Sequence, residues 1–155
     1  MTNLAKIIHN NLLKENKTVS VAESCTGGLI AKTLTGIPGS SGYFILGVVA
    51  YSNESKTKIL GIPAELIAKK GAASRTIAEK MADAIRRIAK TDYGLGVTGI
   101  AGPSGGFSQK PVGTVFIAIS NGKKTICKKF LFRGKRLSIR NQACFNSLKL
   151  LRSSF

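Results

Sequence analysis

A short apolar segment followed by two consecutive glycines constrains the fold of this chain more than any other feature. Thr18–Ala22 is apolar and β-branched, which predicts a buried strand. Thr26, Gly27 and Gly28 are expected to open a helix, because an apolar run continues over residues 29–34. A strand joined to a helix by a tight turn is typical of α/β sheets, in which ligands bind at that end of the strand.

The alternation of strands and helices continues along the chain. Tyr43–Tyr51 is a continuous hydrophobic run, which predicts a strand buried on both faces. Ser74 is a predicted cap for a helix through Lys90, whose inward stripe includes Ile85 and Ile88. Further predicted elements are helices over 3–15, 53–60, 63–70 and 135–152, a strand over 93–97, and a hairpin of 112–120 and 123–132 around Asn121-Gly122. The pattern predicts one α/β domain over residues 1–155, a three-layer α/β/α sandwich with a mixed, mostly parallel sheet.

The charge balance limits the classes of ligand. The chain carries 24 lysines and arginines against 7 acids, a formal net charge of +17, and Asp92 is its last acid. Such an excess attracts anions, including nucleotides, nucleic acids and acidic membranes. Many of the lysines are single and no aromatic platform accompanies the basic stretch, so nucleic acid is not expected as the primary partner.

The sequence lacks signals for membrane insertion, secretion and metal binding. No apolar run approaches the roughly 20 residues of a membrane span, and the N-terminus lacks a signal-peptide core. Cys25, Cys127 and Cys144 form no Cys-x-x-Cys pair, and His9 is the single histidine. We therefore expect a cytoplasmic protein with reduced thiols, no membrane partner and no metal site.

Three polar segments each come directly after a predicted strand. They are Glu23–Gly28, Tyr51–Asn53 together with Lys56, and Thr98–Gly106 together with Lys110. If those strands are parallel neighbours, the segments meet at one edge of the sheet. The third segment has neither the Gly-Lys-Ser/Thr of a Walker motif nor a Gly-x-Gly-x-x-Gly fingerprint. It either binds a phosphate or sugar through backbone donors or is a rigid structural loop.

Ser24 is the candidate nucleophile in the first segment. A lone serine at such a position is more often a turn or cap residue. No histidine is placed to activate it, which argues against a Ser-His-Asp triad, but Lys56 or Tyr51 can act as the base. Cys25 is either a rival nucleophile or a buried packing residue. Backbone N–H groups of residues 25–28 can hold an oxyanion or a phosphate.

Charged side chains near Ser24 also have two interpretations each. Glu23 either orients a base or binds a ribose hydroxyl, or it interacts with the helix dipole. Arg136 and Arg140 are four residues apart and share a helix face, with Arg133 close by. These arginines either bind a phosphate or form a solvated basic face.

Four motifs taken together closely resemble the CinA C-terminal domain family. They are Glu23–Gly28, Tyr51–Asn53 with Lys56, Val97–Pro103 and Lys110–Val115, and in this order they span nearly the whole chain. The stand-alone members of this family are nicotinamide-nucleotide amidohydrolases of the PncC type. The resemblance implies hydrolysis of nicotinamide mononucleotide to nicotinate mononucleotide and ammonia, in pyridine nucleotide salvage. Nothing in the sequence calls for a cofactor or a metal.

The resemblance also implies roles for individual residues. It makes Ser24 the nucleophile, Lys56 with the help of Tyr51 the activating group, and Cys25 a packing neighbour. The expected substrate contacts are Glu23, Thr26, Gly27, Gly28, Thr98, Gly99 and Gly102, with Arg136 or Arg140 on the phosphate. Members commonly form dimers or larger assemblies, so a homo-oligomer is expected. The alternative is a nucleotide-binding protein of the same family that has no catalytic activity.

Overall fold

The computed structural model describes residues 2–155, which form a five-stranded sheet covered by helices. The elements in chain order are α1 (Thr2–Lys14), β1 (Val19–Glu23), α2 (Leu29–Thr35), β2 (Phe44–Val49), α3 (Asn53–Leu60), α4 (Ala64–Lys70), α5 (Arg75–Ala89), β3 (Tyr93–Gly99), β4 (Thr114–Ser120), β5 (Thr125–Leu131) and α6 (Arg136–Arg152). A single turn of 3₁₀ helix over Ser40–Gly42 precedes β2.

The sheet is mixed, with the strand order β2-β1-β3-β4-β5. The strand pairs β1–β2 and β1–β3 are parallel, whereas β3–β4 and β4–β5 are antiparallel. Only β4 therefore runs against the other strands, and the predicted mixed α/β sheet is confirmed. Because β2, β1 and β3 are parallel neighbours, their carboxyl ends lie at the same edge of the sheet.

Helices cover both faces of the sheet, as the predicted three-layer sandwich requires. The helices α1, α2 and α6 pack on one face through an apolar cluster that includes Ile8, Leu34 and Leu148. On the other face α5 contacts β3 and β4 most closely. Gly96 of β3 permits this approach, since a Cβ atom there would lie 2.5 Å from the backbone nitrogen of Ala82.

Two burial predictions are wrong. The strand predicted over Tyr43–Tyr51 is not buried on both faces, because β2 is an edge strand whose residues alternate between half-buried and exposed. Ile45 and Val49 keep 50% and 46% of their surface exposed. Ile88 is 51% exposed, because the last turn of α5 lies at the surface beside Ile59 of α3.

Over residues 2–155, no helix combines the length and the apolar character needed to cross a bilayer.

Candidate active site

A cavity of about 370 Å³ opens at the edge of the sheet where β1, β2 and β3 end. All three polar segments predicted from the sequence contribute to its walls. The lining side chains and backbone come from Ser24, Cys25, Tyr51, Asn53, Lys56, Gly71, Ala72, Ala73, Thr98, Gly99, Ile100, Ala101, Gly105, Phe107, Lys110 and Arg136. The predicted convergence of the segments is confirmed, and the parallel order of the three strands is its cause.

Ser24 and Lys56 are in direct contact at the bottom of this cavity. Lys56 Nζ lies 3.1 Å from Ser24 Oγ, 2.9 Å from the carbonyl oxygen of Ala50 and 3.4 Å from that of Tyr51. Lys56 is only 1% exposed. Burial lowers the pKa of the Lys56 ammonium, because the charged form loses its hydration.

The three partners of Lys56 suit an amine that takes part in proton transfer. In the charged form, Lys56 donates to Ser24 Oγ and to the carbonyl oxygens of Ala50 and Tyr51. In the neutral form, two N–H groups can stay on the carbonyl oxygens while the lone pair faces Ser24 Oγ. No carboxylate forms an ion pair with Lys56 in the described part of the chain. The surroundings therefore favour the neutral, basic form of this lysine.

The start of α3 fixes the position of Lys56. Ser52 is the N-cap of this helix, and its Oγ accepts a hydrogen bond of 3.0 Å from the backbone N–H of Ser55. The hydroxyl of Ser55 in turn accepts from the backbone N–H of Ser52 at 3.1 Å, which completes a capping box. Lys56 follows immediately, so the first turn of α3 directs its side chain toward the end of β1.

The turn after β1 fixes the position of Ser24. The backbone N–H of Ser24 donates to the carbonyl oxygen of Val97 at 3.0 Å, and the backbone N–H of Gly27 donates to the carbonyl oxygen of Ser24 at 3.0 Å. Gly27 and Gly28 have φ angles of 59° and 89°. Glycine adopts this left-handed region without the steric cost of a Cβ, so both glycines serve the turn.

The Glu23 carboxylate caps helix α2 and does not face the cavity. It accepts hydrogen bonds from the backbone N–H groups of Gly28, Ile30 and Ala31 at 3.0, 3.2 and 2.8 Å, and the residue is fully buried. Glu23 and Gly28 are therefore not placed as the substrate contacts expected from the sequence. The helix-dipole interpretation of Glu23 is the correct one, and α2 begins at Leu29 rather than at Thr26.

One backbone N–H group next to the nucleophile is left for an oxyanion. Among the described residues, the N–H groups of Cys25 and Thr26 have no acceptor, whereas those of Ser24, Gly27 and Gly28 are all engaged. Cys25 lines the cavity, but Thr26 is fully buried and does not line it. Of the backbone donors expected over residues 25–28, the N–H of Cys25 is therefore the one that suits an oxyanion.

Cys25 and Thr26 contribute buried side chains rather than reactive ones. Burial raises the pKa of the Cys25 thiol to about 12, so the thiolate that a nucleophilic cysteine needs is disfavoured. Cys25 is 6% exposed and packs with the core on the α2 side of the sheet. Thr26 is fully buried, so its side chain is not placed as a substrate contact.

Arg136 and Arg140 have different positions although they share a helix face. Arg136 lines the cavity, where its guanidinium donates to the carbonyl oxygen of Gly102 at 2.7 Å and to the Tyr51 hydroxyl at 2.5 Å. Arg140 instead donates twice to the carbonyl oxygen of Thr26, at 3.2 and 2.7 Å. Arg140 therefore braces the nucleophile turn, and Arg136 is the arginine available to a ligand.

The contacts of Tyr51 separate it from Ser24. Its side chain is 57% exposed and its hydroxyl accepts from Arg136, whereas Lys56 is the group that contacts Ser24 Oγ. Tyr51 therefore stands at the rim with Arg136, and Lys56 is the better placed of the two candidate bases.

The end of β3 and the loop after it form the opposite wall, and β3 continues through Thr98 and Gly99, which the sequence placed in the loop. Thr98 is 2% exposed and its hydroxyl donates to the carbonyl oxygen of Ala72 at 2.9 Å, which ties the end of β3 to the segment before α5. A Cβ at Gly99 would lie 2.6 Å from the carbonyl oxygen of Thr114, so only glycine fits there. Gly102 contributes the carbonyl oxygen that holds Arg136.

Sequence reasoning missed two parts of the wall. The segment Gly71–Ala73 lines the cavity, and its only sequence signal was a glycine shortly before the cap Ser74. Phe107 also lines the cavity while 54% exposed. An aromatic residue inside a glycine-rich loop was the signal that could have identified it.

The cavity is positively charged. Its lining contains Lys56, Lys110 and Arg136 and, over the described ranges, no aspartate or glutamate. The side chains of residues 3–155 form no group of three or more histidines, cysteines or acids that could hold a metal ion. The arrangement suits a ligand with negative charge and offers a serine with a neighbouring amine.

Comparison with known proteins agrees with this architecture. The family model of the CinA C-terminal domain matches residues 1–155. A CinA-like protein of Endomicrobium trichonymphae is 49% identical over 149 residues, and one of Anaeromyxobacter sp. (strain Fw109-5) is 46% identical over 149 residues. Both alignments cover 96% of this chain but only 35% and 36% of the relative, so the chain spans about a third of the length of these curated relatives.

Solved structures of the same superfamily have the same fold. The crystal structure of the competence/damage inducible protein CihA from Agrobacterium tumefaciens is 36% identical, with a TM-score of 0.95 over 98% of this chain and 93% of that one. A CinA superfamily protein from Escherichia coli is 27% identical, with a TM-score of 0.95 over 99% of this chain and 90% of that one. On the match over its whole length, this chain belongs to the CinA C-terminal domain family.

Proposed function

We propose that this chain hydrolyses the carboxamide of nicotinamide mononucleotide, giving nicotinate mononucleotide and ammonia, as a step of pyridine nucleotide salvage. The observation that carries the proposal is the 3.1 Å contact between Lys56 Nζ and Ser24 Oγ in a cavity whose described lining contains no acid. A serine needs a base to become a nucleophile, and burial lowers the pKa of Lys56, which favours the neutral amine that can act as that base.

The first half-reaction forms an acyl-enzyme. Neutral Lys56 takes the proton of the Ser24 hydroxyl as Oγ attacks the carboxamide carbon. The negative charge that develops on the amide oxygen is stabilised by the backbone N–H group of Cys25. Lys56 then gives its proton to the amide nitrogen, the C–N bond breaks, and ammonia leaves an ester on Ser24.

The second half-reaction returns the enzyme to its starting state. Lys56, neutral again, takes a proton from a water molecule that attacks the ester carbon. The same backbone N–H group holds the second tetrahedral intermediate. Its collapse breaks the bond to Ser24 Oγ, and Lys56 returns the proton to that oxygen. The carboxylic acid gives its own proton to the solvent and leaves as its anion.

The charges at the rim support a phosphorylated substrate. Arg136 is held in the cavity wall by Gly102 and Tyr51 and faces no carboxylate within the described residues. An arginine fixed in this way binds a phosphate through two N–H groups at little cost in conformational entropy. Arg136, rather than Arg140, is therefore the proposed phosphate partner.

A histidine-based mechanism has no support. His9 lies in α1, where its ring packs edge-on against Tyr43 with 5.4 Å between ring centroids. Neither residue lines the cavity.

Ammonia release from the mononucleotide by the purified chain tests the proposal. Ser24→Ala and Lys56→Met are each expected to lower kcat by about a thousandfold or more, because both groups act in every step. Lys58→Met is the matched control, since Lys58 lies on the same helix but is 73% exposed and pairs with Glu54. Retention of most of the rate by Ser24→Ala would show that the nucleophile is another group. Binding of the mononucleotide by the wild-type chain without ammonia release would favour the non-catalytic alternative.

A homo-oligomer is also proposed, on the resemblance alone. Sedimentation velocity of the purified chain tests it, and a single species with the mass of one chain is the contrary result.

A further inference from the structure

We propose that the turn Phe107–Lys110 is a substrate-recognition arm, in which Phe107 stacks on the heteroaromatic ring of the substrate and Lys110 shares its phosphate with Arg136. The inference rests on the proposed function and assigns it two specificity residues. This arm is separate from the nucleophile Ser24, the base Lys56 and the oxyanion donor Cys25.

The arm has a defined shape. The backbone N–H of Phe107 donates to the carbonyl oxygen of Lys110 at 3.1 Å, and the N–H of Lys110 donates back to Phe107 at 2.9 Å. This reciprocal pair closes a two-residue turn over Ser108 and Gln109. The two side chains at its base, Phe107 and Lys110, both line the cavity.

The arm is anchored to the body of the domain. Gly106 lies against the segment that precedes β4, since a Cβ at Gly106 would be 2.6 Å from the backbone nitrogen of Val112. Lys110 Nζ donates to the carbonyl oxygen of Lys70, 3.3 Å away at the end of α4. The arm thus presents its two side chains from a fixed base.

Phe107 is an aromatic face without a partner of its own. It is 54% exposed, although it lines a cavity, and it takes part in none of the aromatic pairs found among the described residues. Leaving such a ring in water is unfavourable, so a ligand that covers it gains binding energy.

The ring of the proposed substrate suits this face. An N-alkylated pyridine carries a positive charge, and the described residues of the cavity lining include no carboxylate to balance that charge. The π face of Phe107 provides the missing negative potential, because a cation is attracted to the face of an aromatic ring. Stacking therefore explains how an acid-free cavity accepts a ring that is positive.

Lys110 matches the other end of the substrate. Its ammonium makes one hydrogen bond, to a carbonyl oxygen, and forms no ion pair among the described residues. Lys110 and Arg136 are the two cations at the rim, apart from the base Lys56. Together they balance the two negative charges of a phosphate monoester.

Binding measurements on the Ser24→Ala chain test the arm without turnover. The two probes are nicotinamide mononucleotide and nicotinamide riboside, which lacks the phosphate. Adding Phe107→Leu is expected to weaken both probes about tenfold, as loss of a stacking face does, whereas Phe107→Tyr keeps the affinity. Adding Lys110→Met is expected to weaken only the mononucleotide, by roughly fivefold at low salt and less at high salt. Lys110→Arg restores it.

Phe145→Leu and Lys128→Met are the matched controls, since both residues are exposed and lie outside the cavity. If the Ser24→Ala chain binds both probes equally well with and without Phe107→Leu, the stacking role is refuted. If Lys110→Met lowers the affinity for the mononucleotide and for the riboside equally, the phosphate role is refuted. It is also refuted if the Ser24→Ala chain does not bind the mononucleotide. If the arm variants weaken binding but the wild-type chain releases no ammonia, the arm is supported and the proposed function is refuted. If the wild-type chain releases ammonia but neither Phe107→Leu nor Lys110→Met changes binding, the proposed function is supported and the arm is refuted.

Discussion

Replacing Lys56 by methionine gives a test of the site that does not depend on the identity of the substrate. Burial lowers the pKa of Lys56, so between that pKa and lysine's ordinary pKa the folded chain holds one proton fewer at this position than the unfolded chain. The unfolded state then binds more protons, and the free energy of unfolding rises with pH. Lys56→Met keeps an unbranched side chain that is one atom shorter and removes the titration.

The size of the effect follows from one proton. Across the window between the two pKa values, the free energy of unfolding of the wild-type chain gains up to about 1.4 kcal/mol per pH unit over that of Lys56→Met. Below the pKa of Lys56 in the folded chain, both the folded and the unfolded chain bind the proton, and above lysine's ordinary pKa neither does. Outside this window, the difference in unfolding free energy between the wild type and Lys56→Met therefore does not change with pH. Loss of the 2.9 Å hydrogen bond to Ala50 adds a constant cost of roughly 1 kcal/mol to the variant.

Urea unfolding of both chains over a pH series measures this difference, with Lys58→Met as the control that should stay parallel to the wild type. The same group should govern catalysis, because only neutral Lys56 accepts the proton of Ser24. The ascending limb of kcat/KM against pH is therefore expected at the pKa found from unfolding. A difference in stability that does not change with pH would refute the lowered pKa. If the pKa from kcat/KM differs from the pKa found by unfolding, Lys56 is not the base.

Three further substitutions test interactions that stabilise the fold. Glu23→Gln is expected to cost about 2 kcal/mol in urea unfolding, because the amide replaces a buried carboxylate that accepts three backbone hydrogen bonds. Burial alone would raise the pKa of Asp92, but hydrogen bonds from Lys17 and Thr18 outweigh it and lower that pKa. The stability from ionised Asp92 is then full above its unfolded pKa and is lost as the pH falls through its folded pKa, so Asp92→Asn should cost about 1 kcal/mol at neutral pH and less in acid. Gly96→Ala is expected to cost roughly 3 kcal/mol, since its methyl group would displace α5 from the sheet.

Each of these expectations has a clear contrary result. An unfolding free energy unchanged by Glu23→Gln would mean that α2 does not depend on its carboxylate cap. A cost of Asp92→Asn that grows in acid would have the wrong sign for an aspartate with a lowered pKa. If Gly96→Ala has the unfolding free energy of the wild type, α5 can move away from the sheet by the size of a methyl group without loss of stability.

The alternation of strands and helices was predictable because local patterns specify it. Apolar runs, the cap Ser74 and the Asn121-Gly122 turn each act over a few residues. The convergence of the polar segments was predictable as well, since each follows a strand and parallel neighbours end at one edge. The position of β2 at the edge of the sheet was not, because its sequence is as apolar as that of a central strand and strand order depends on distant pairings.

The side-chain partners within the site were the least predictable part. Glu23 and Ser24 are adjacent in sequence, yet Glu23 is buried under α2 and Ser24 faces the cavity, because β1 ends at Glu23 and the chain turns at Ser24. Arg136 and Arg140 share a helix face, and only the distance along that face decides which one reaches the cavity. Phe107 was overlooked because a glycine-rich loop gives no pattern from which side-chain direction follows.

Among the described residues, the absence of aspartate and glutamate from the cavity lining has a consequence for turnover. Amide hydrolysis leaves a product with one negative charge more than the substrate. In the proposed reaction, this new charge forms beside Ser24 in a positively charged cavity, so the product is held more tightly than the substrate and departure of the acid becomes the slow step. Added salt should speed that departure while it weakens capture of the substrate, so kcat and kcat/KM respond to ionic strength in opposite directions.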